Sequence, residues 1–455
     1  MKAVLPYTWH GKVLITCLRF LFFLLSIFKG KKWQSPLPDF EENPIDYPHQ
    51  KEALLYFGYK YYYRPPTLFP EALVAHFKEQ DLRFPLPEGF QEQSRISLSV
   101  GGDLMPYEWI QKPYTQHLWD ELGDFFFGAD IVFANLETPL LPSKAPSLVP
   151  EVMLEDMLFN ASEEMFGIFS GNGHYKGYDL LSTANNHSWD MGEAGLVSTI
   201  DFLERRGIAH TGTARSPEER AAFPILERQS IRIAFLAYTY SLNKFELPKG
   251  KEYMVNHLRF NRPDCVLEAL KADVALAKAR GADLVVLSAH TGNAYQPYPS
   301  PHTVAVFHRI FEECGVDIIL GGHPHNPQPM ERYAFSCPFS GKEKQGFAIY
   351  SLSDFVAYDI FVWGKLFPLL KIHIAKGQDA QGQTHTQIAD IALRAGYNWG
   401  EKNSKKPRQM RFLDLHQTVA AIEAGRAPAF LSALCKKEIQ ALYAFWQSYM
   451  PPPRG

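Results

Sequence analysis

The chain has 455 residues, 46 Lys plus Arg against 49 Asp plus Glu, a formal charge of −3 and 46% hydrophobic residues. That balance excludes a disordered chain and supplies no global field for drawing in nucleic acid, so no nucleic-acid partner is expected. The cysteines (Cys17, Cys265, Cys314, Cys337 and Cys435) are scattered and never spaced as Cys-x-x-Cys, which excludes a zinc ribbon and argues against a disulfide scaffold. Any metal must therefore be held by histidine and carboxylate.

Residues 1–32 stand apart. An apolar run over residues 13–28, broken by Arg19, has Lys2, His10 and Lys12 before it and Lys29, Lys31 and Lys32 after it. As a helix the run rises roughly 24 Å, short of the ~30 Å hydrocarbon core of a bilayer. No small-x-small cleavage site follows, as a signal peptide would require. The segment reads as an uncleaved membrane-associating helix, with a helix docked on the domain as the alternative. Residues 33–95 are rich in proline and aromatics and keep no sustained period. They read as an extended arm over the domain surface, although aromatics beside Lys60 and Arg64 could also stack on a base or sugar.

From residue 96 short apolar runs recur, each ending in Asp, Glu, Asn or His. Residues 96–100 lead to Asp103, 131–134 to Asn135 and Glu137, 180–184 to Asn185, Asn186 and His187, 284–289 to His290, and 316–320 to His323 and His325. Such runs, partly β-branched and bounded by glycine or polar loops, read as buried strands. Two more apolar runs, 231–240 and 347–352, extend the β content. Helical spacing lies between strands: Leu196, Ile200 and Leu203 before Gly207, and Val304, Phe307 and Phe311 before Gly315. Strand alternating with helix implies an α/β domain with a largely parallel sheet, whose ligands bind beyond the carboxyl ends of the strands. After residue 376 the rhythm stops. Residues 377–386 read as a polar linker, and 417–424 and 430–450 as helices before Pro451. The expected division is 1–32, 33–95, 96–375 and 376–455.

Two imidazoles at His323 and His325, on a loop after a buried strand, share one site only if the chain turns between them. Alone, the pair reads more readily as a surface loop than as a ligand pair. With Asp103, Glu137 and His290 it becomes a mixed nitrogen and oxygen donor set suited to Zn, Fe or Mn. Asn186 can ligate without charge, and the adjacent His187 can donate a proton to a leaving group. Asp190 reads as the cap of the following helix.

The ordered blocks GGDLM, ANLETPL, STANNHSWDMGEAGL, AH with YQPYPSP, ILGGHPHNPQPME and YSLSDF resemble the CapA family of poly-γ-glutamate and capsule synthesis proteins over roughly residues 96–375. That family is similar to the calcineurin-like metallophosphoesterases, which implies a four-layer α/β/β/α sandwich, here with an N-terminal extension and a helical C-terminal tail. The resemblance implies metal ligands at Asp103, Glu137, Asn186, His290, His323 and His325, and a proton-donating His187. Met105 replaces a histidine of the phosphoesterase pattern, His290-Thr291-Gly292-Asn293-Ala294 lacks a tryptophan and a carboxylate, and Ser351-Leu352-Ser353-Asp354-Phe355 departs from Ser-Leu-Gly-Asn-Phe. One tight transition-metal site and one weak or empty one are therefore expected, about one ion per chain. The implied function is a metal-dependent hydrolase or transferase on a phosphoester or γ-linked amide, associated with the membrane of a bacterial cell envelope. The alternative is a non-catalytic membrane-associated component that binds or guides an anionic polymer. A metal-free small-ligand protein would leave the histidines unexplained.

Overall fold

Among the described residues fourteen strands build two sheets, seven of them containing the apolar runs. In chain order they are β1 (Gln91–Leu104), β2 (Ile131–Leu136), β3 (Leu180–Ser182), β4 (Ala209–Thr211), β5 (Ile225–Arg228), β6 (Ile231–Thr239) and β7 (Leu284–His290). There follow β8 (Ile318–Gly322), β9 (Pro327–Ser336), β10 (Glu343–Leu352), β11 (Asp354–Val356), β12 (Leu366–Gln378), β13 (Thr384–Gly400) and β14 (Met410–Asp414). The computed structural model describes residues 9–35, 51–149, 151–154, 156–357, 361–401 and 409–450. Parts of the expected segments 1–32, 33–95 and 376–455, including Pro451, lie outside the described residues.

The first sheet runs β14-β13-β12-β1-β2-β3-β4, with β11 beside β1, and the second runs β5-β6-β7-β8-β10-β9. Neighbours from β1 to β4 are parallel, as are β6, β7, β8 and β10, while β12 to β14 and the β5 and β9 edges are antiparallel. The sheets face each other across Leu98, Val100 and Phe133 on one side and Phe235 on the other, with the Phe133 and Phe235 rings 6.0 Å apart. Alternate residues of β2 turn to the other face. Val132 and Ala134 there join Phe126, Phe166 and Phe202 of outer helices. Helices Glu268–Ala279 and Pro301–Arg309 cover the second sheet through Leu270, Val274 and Phe307. The result is a four-layer α/β/β/α sandwich.

Helix Gly192–Arg205 carries Leu196, Ile200 and Leu203 inward, and Gly207 follows it at φ 67°. The helix Pro301–Arg309 continues through a wider turn, Ile310–Cys314, to Gly315 at φ 71°.

The structure differs from the sequence expectation at both ends of the chain. Residues 377–386 are not a linker: β12 and β13 form a hairpin there, continuing the first sheet to β14. Asp379 closes the turn by accepting from the N–H groups of Gln381 and Gln383, so its polar composition reflects turn chemistry. Helices Leu415–Glu423 and Ala433–Tyr449 are packed into the main core through Val419, Ile439 and Trp446 rather than trailing from it. In the arm, residues Lys51–Tyr62 and Glu71–Lys78 are helical rather than extended. The N-terminal helix covers Trp9–Lys29, longer than the apolar run alone, because His10 and Lys12 sit on its first turns. Its rise is roughly 32 Å, enough by length and composition to cross a bilayer. One side packs Phe22 against Trp33, Tyr56 and Tyr59, while Phe20, Ile27 and Phe28 stay exposed.

Phe355 stitches β11 to the layer outside the first sheet, with its ring 4.7 Å from Phe126, 5.3 Å from Phe367 and 5.5 Å from both Trp119 and Phe412. Phe355→Ala should cost about 3–5 kcal/mol in chemical denaturation. A loss under about 1 kcal/mol would mean that this aromatic cluster is not close-packed.

Candidate metal centre

The parallel strands of both sheets end on the same edge of the sandwich, and their terminal residues meet there. Asp103 is the penultimate residue of β1, Glu137 follows β2, and Asn185, Asn186 and His187 follow β3. From the second sheet His290 ends β7 and His323 follows β8. Asp354 opens β11, level with Asp103 in the ladder.

Asp103 is completely buried and stands at the junction of the two sheets. Its Oδ1 accepts from Asn135 Nδ2 at 2.8 Å, and its Oδ2 accepts from the His323 backbone N–H at 3.2 Å. Gly322 permits that approach, since a Cβ there would lie 3.0 Å from Asp103 Oδ1 and 3.1 Å from His290 Nδ1. Ligand atoms of Asp103, Glu137 and His290 fall within 4.8 Å of one another, and so do those of Asp103, His325 and Asp354. Two donor triads thus share one carboxylate.

The remaining contacts fix ring orientation. His290 Nε2 lies 2.7 Å from Asn186 Oδ1 and 3.4 Å from Glu137 Oε1. The Tyr240 hydroxyl is 3.0 Å from His323 Nε2, and His325 Nδ1 is 2.7 Å from Asp354 Oδ1. The loop turns as a shared site demands: His323 has φ 97° and His325 φ 57°, and their ring centroids are 5.7 Å apart. Tyr295 stacks on His325 at 5.5 Å, and Tyr61, from the helix Lys51–Tyr62, packs 5.1 Å from Tyr295.

His187 is buried beside the triads. Its Nδ1 lies 2.6 Å from Asp190 Oδ2, and its ring stacks on Phe159 at 3.8 Å. Asp190 does not cap the following helix, whose N-cap position is Met191 without a side-chain hydrogen bond. Its Oδ2 instead accepts from the Phe159 N–H at 2.7 Å, so the carboxylate is held to orient the imidazole.

Electrostatics mark the site as short of positive charge. Burial, then the neighbouring Glu137, pushes the Asp103 carboxyl from 3.8 up to about 8, and burial raises Glu137 as well. Burial lowers His290 to about 4 and drives His323 well below 6.5. Burial would lower His325 too, but the Asp354 carboxylate outweighs it and raises the imidazole to about 10. Among the described residues, both Glu137 oxygens and His323 Nδ1 are buried with no hydrogen-bond partner. Unpartnered buried donors and acceptors of this kind are costly, and a divalent cation would satisfy the Glu137 oxygens; His323, chosen from the sequence as a ligand, belongs to neither donor triad.

The structure brings all seven sequence-chosen residues into this region and adds four. Asp354, Tyr240, Asp190 and Asn135 were not assigned such roles. Tyr240 directly follows a strand, as the chosen residues do, and that position could have found it. Asp354 stands four residues past Tyr350 in a strand-like run, where a carboxylate replaces the expected amide.

Residues 97–359 match the family described as bacterial capsule synthesis protein PGA_cap. The capsule biosynthesis protein CapA of Bacillus anthracis is 25% identical over 274 residues, which are 59% of this chain and 62% of that protein. The PGA biosynthesis protein CapA of Bacillus subtilis is 24% identical over 293 residues, 62% of this chain and 68% of that protein. The chain thus spans less than two thirds of the first of these relatives. Among solved structures, the calcineurin-like phosphoesterase YfkN from Bacillus subtilis is similar with a TM-score of 0.37 and 16% identity, covering 66% of this chain and 90% of that one.

The shifted groups give a pH dependence with a defined sign. Asp103, raised above its unfolded value of 3.8, contributes stability at low pH that is lost as pH climbs through about 8. His325, raised from 6.5 to about 10, acts in the same direction, whereas lowered His290 has finished its opposite effect by pH 6.5. After chelation, the thermal midpoint should fall between about pH 6.5 and 8.5, and Asp103→Asn should make that fall shallower. An equal slope in the two proteins would refute the assignment of a buried, uncompensated carboxylate.

Proposed function

We propose that this chain, which belongs to the PGA_cap family of bacterial capsule synthesis proteins, is a metal-dependent hydrolase or transferase. Its substrate would be a phosphoester or γ-linked amide met during synthesis of an anionic capsular polymer. The observation that carries this reading is the shared Asp103, which joins two donor triads beside a histidine held by its own carboxylate.

Asp103, Glu137, His290 and the Asn186 amide oxygen would hold the tighter ion, because together they offer four donors. Asp103, His325 and Asp354 offer three, and His325 must first give up the proton that Asp354 helps it keep. Asp354 thereby makes up for Met105, so the second position is weaker rather than lost. Imidazole with carboxylate favours manganese, iron or zinc over calcium or magnesium. A bound divalent ion supplies polarisation of the scissile group and a lowered pKa for water.

The chain's own residues supply the rest. Asp190 engages His187 Nδ1, which leaves Nε2 as the ring atom for proton exchange with a leaving group. Stacking on Phe159 fixes the plane of that ring. Tyr240 orients His323, and the aromatic group of Tyr61, Tyr295 and Phe361 shields the His325 side from water.

Membrane association rests on the exposed apolar side of the helix Trp9–Lys29. A helix that shows Phe20, Ile27 and Phe28 to solvent and is flanked by lysines suits a bilayer or its interface. Deleting residues 1–32 should move the protein from the membrane fraction to the soluble one. An unchanged distribution would mean that the helix serves only packing.

Turnover on aryl phosphates, phosphodiesters and γ-glutamyl peptides separates catalysis from polymer guidance. His187→Ala should keep the metal and lose roughly 10²–10⁴-fold in turnover, whereas His290→Ala should lose both. A wild-type protein that holds metal but turns over none of these would favour the non-catalytic component. Unchanged activity in His187→Ala would remove the proton donor from the account.

A further inference from the structure

A second donor cluster shares no residue with the main one. His76 comes from the helix Glu71–Lys78, His308 from the helix Pro301–Arg309, and Glu331 from edge strand β9. One ligand atom from each lies within 4.8 Å of the others. His76 Nε2 is 2.7 Å from Glu331 Oε2, and His308 Nε2 is 2.6 Å from Oε1. The Glu331 side chain is entirely buried, while those of His76 and His308 keep 34% and 23% of their surface exposed.

The pieces are held in place. His308 stacks flat on Tyr333 at 3.9 Å, and the His76 ring meets Phe77 edge-on at 4.9 Å. The Gln80 amide nitrogen lies 3.5 Å from His76 Nε2, and its oxygen accepts from the Arg332 N–H at 3.0 Å. A buried carboxylate needs positive charge close by. Two imidazole nitrogens converge on it from elements far apart in sequence, and each of these side chains keeps part of its surface exposed.

Two histidines with one glutamate, leaving room for a solvent ligand, are a donor set that zinc accepts. We propose that His76, His308 and Glu331 bind one divalent transition ion, zinc by ligand type, which fastens the N-terminal extension to the sandwich. His76 lies outside residues 97–359, the span that matches the capsule synthesis family. The ion would tie the segment bearing the apolar helix Trp9–Lys29 to the domain that carries the main cluster.

The test uses the full chain, stripped with chelator, reloaded with zinc and desalted before elemental analysis. The His76→Ala/His308→Ala double variant should hold one zinc equivalent fewer than wild type, with the His187-dependent reaction and the main cluster's metal unaffected. His308→Gln keeps a polar contact to Glu331 and guards against misfolding, and it should lose the same equivalent. In a chain whose main cluster is disabled by Asp103→Asn and His290→Ala, zinc should still raise the thermal midpoint, and adding His308→Gln should abolish that shift. Equal zinc content in wild type and His308→Gln, or no zinc-induced shift in the disabled chain, would overturn the site and leave a histidine–glutamate clasp.

Discussion

Two carboxylates, Asp103 and Glu137, are buried without exposure at the line where the two sheets meet, and much of the surrounding structure follows from that constraint. Ionised carboxylates in a protein interior are tolerated only with close compensation. Here the opposite sheet supplies only part of it: the His323 N–H donates to Asp103 and an uncharged His290 lies against Glu137, so both carboxyls stay raised. That demand explains why Gly322 has no side chain and why His323 and His325, on either side of Pro324, take left-handed backbone angles. Each such angle is unfavourable for a residue with a Cβ, by roughly 1–3 kcal/mol. The sheet pairing and the donor cluster therefore depend on one another.

The elements most legible in the sequence are those whose burial leaves a clear apolar run. The runs ending at Asp103, Glu137, His290 and His323 became the parallel strands, because both faces of those strands are covered and the runs are nearly continuous. The helix Gly192–Arg205 was readable from its one-sided spacing. β13 was not readable, since its first half, Thr384 to Asp390, lies mostly outside the core and interleaves Thr, Gln and Asp with few apolar residues. A polar turn at residues 379–383 then looked like a linker. The division into two facing sheets also lay beyond the apolar runs, which carry no record of which strand pairs with which.

At the site, donor types at strand ends identified the main residues, but roles that depend on side-chain direction stayed hidden. Asp190 illustrates the limit. Its position before a helix suits a cap, yet its oxygen is taken by the Phe159 N–H while it holds His187. Asp354 was seen as a departure from a motif, whereas its ladder position beside Asp103 makes it a donor. The N-terminal helices gave no such signal at all. Only their packing reveals that Tyr61 approaches Tyr295, and through it the ring of His325.

The most direct measurement is anomalous diffraction from a crystal soaked in manganese at neutral pH, collected on either side of the manganese edge. A strong peak is expected within bonding distance of Asp103, Glu137 and His290, and a weaker one toward His325 and Asp354. A map with no peak beside Asp103, in a crystal that binds manganese elsewhere, would contradict that expectation. Asp103 would then be a protonated acid in a metal-free fold.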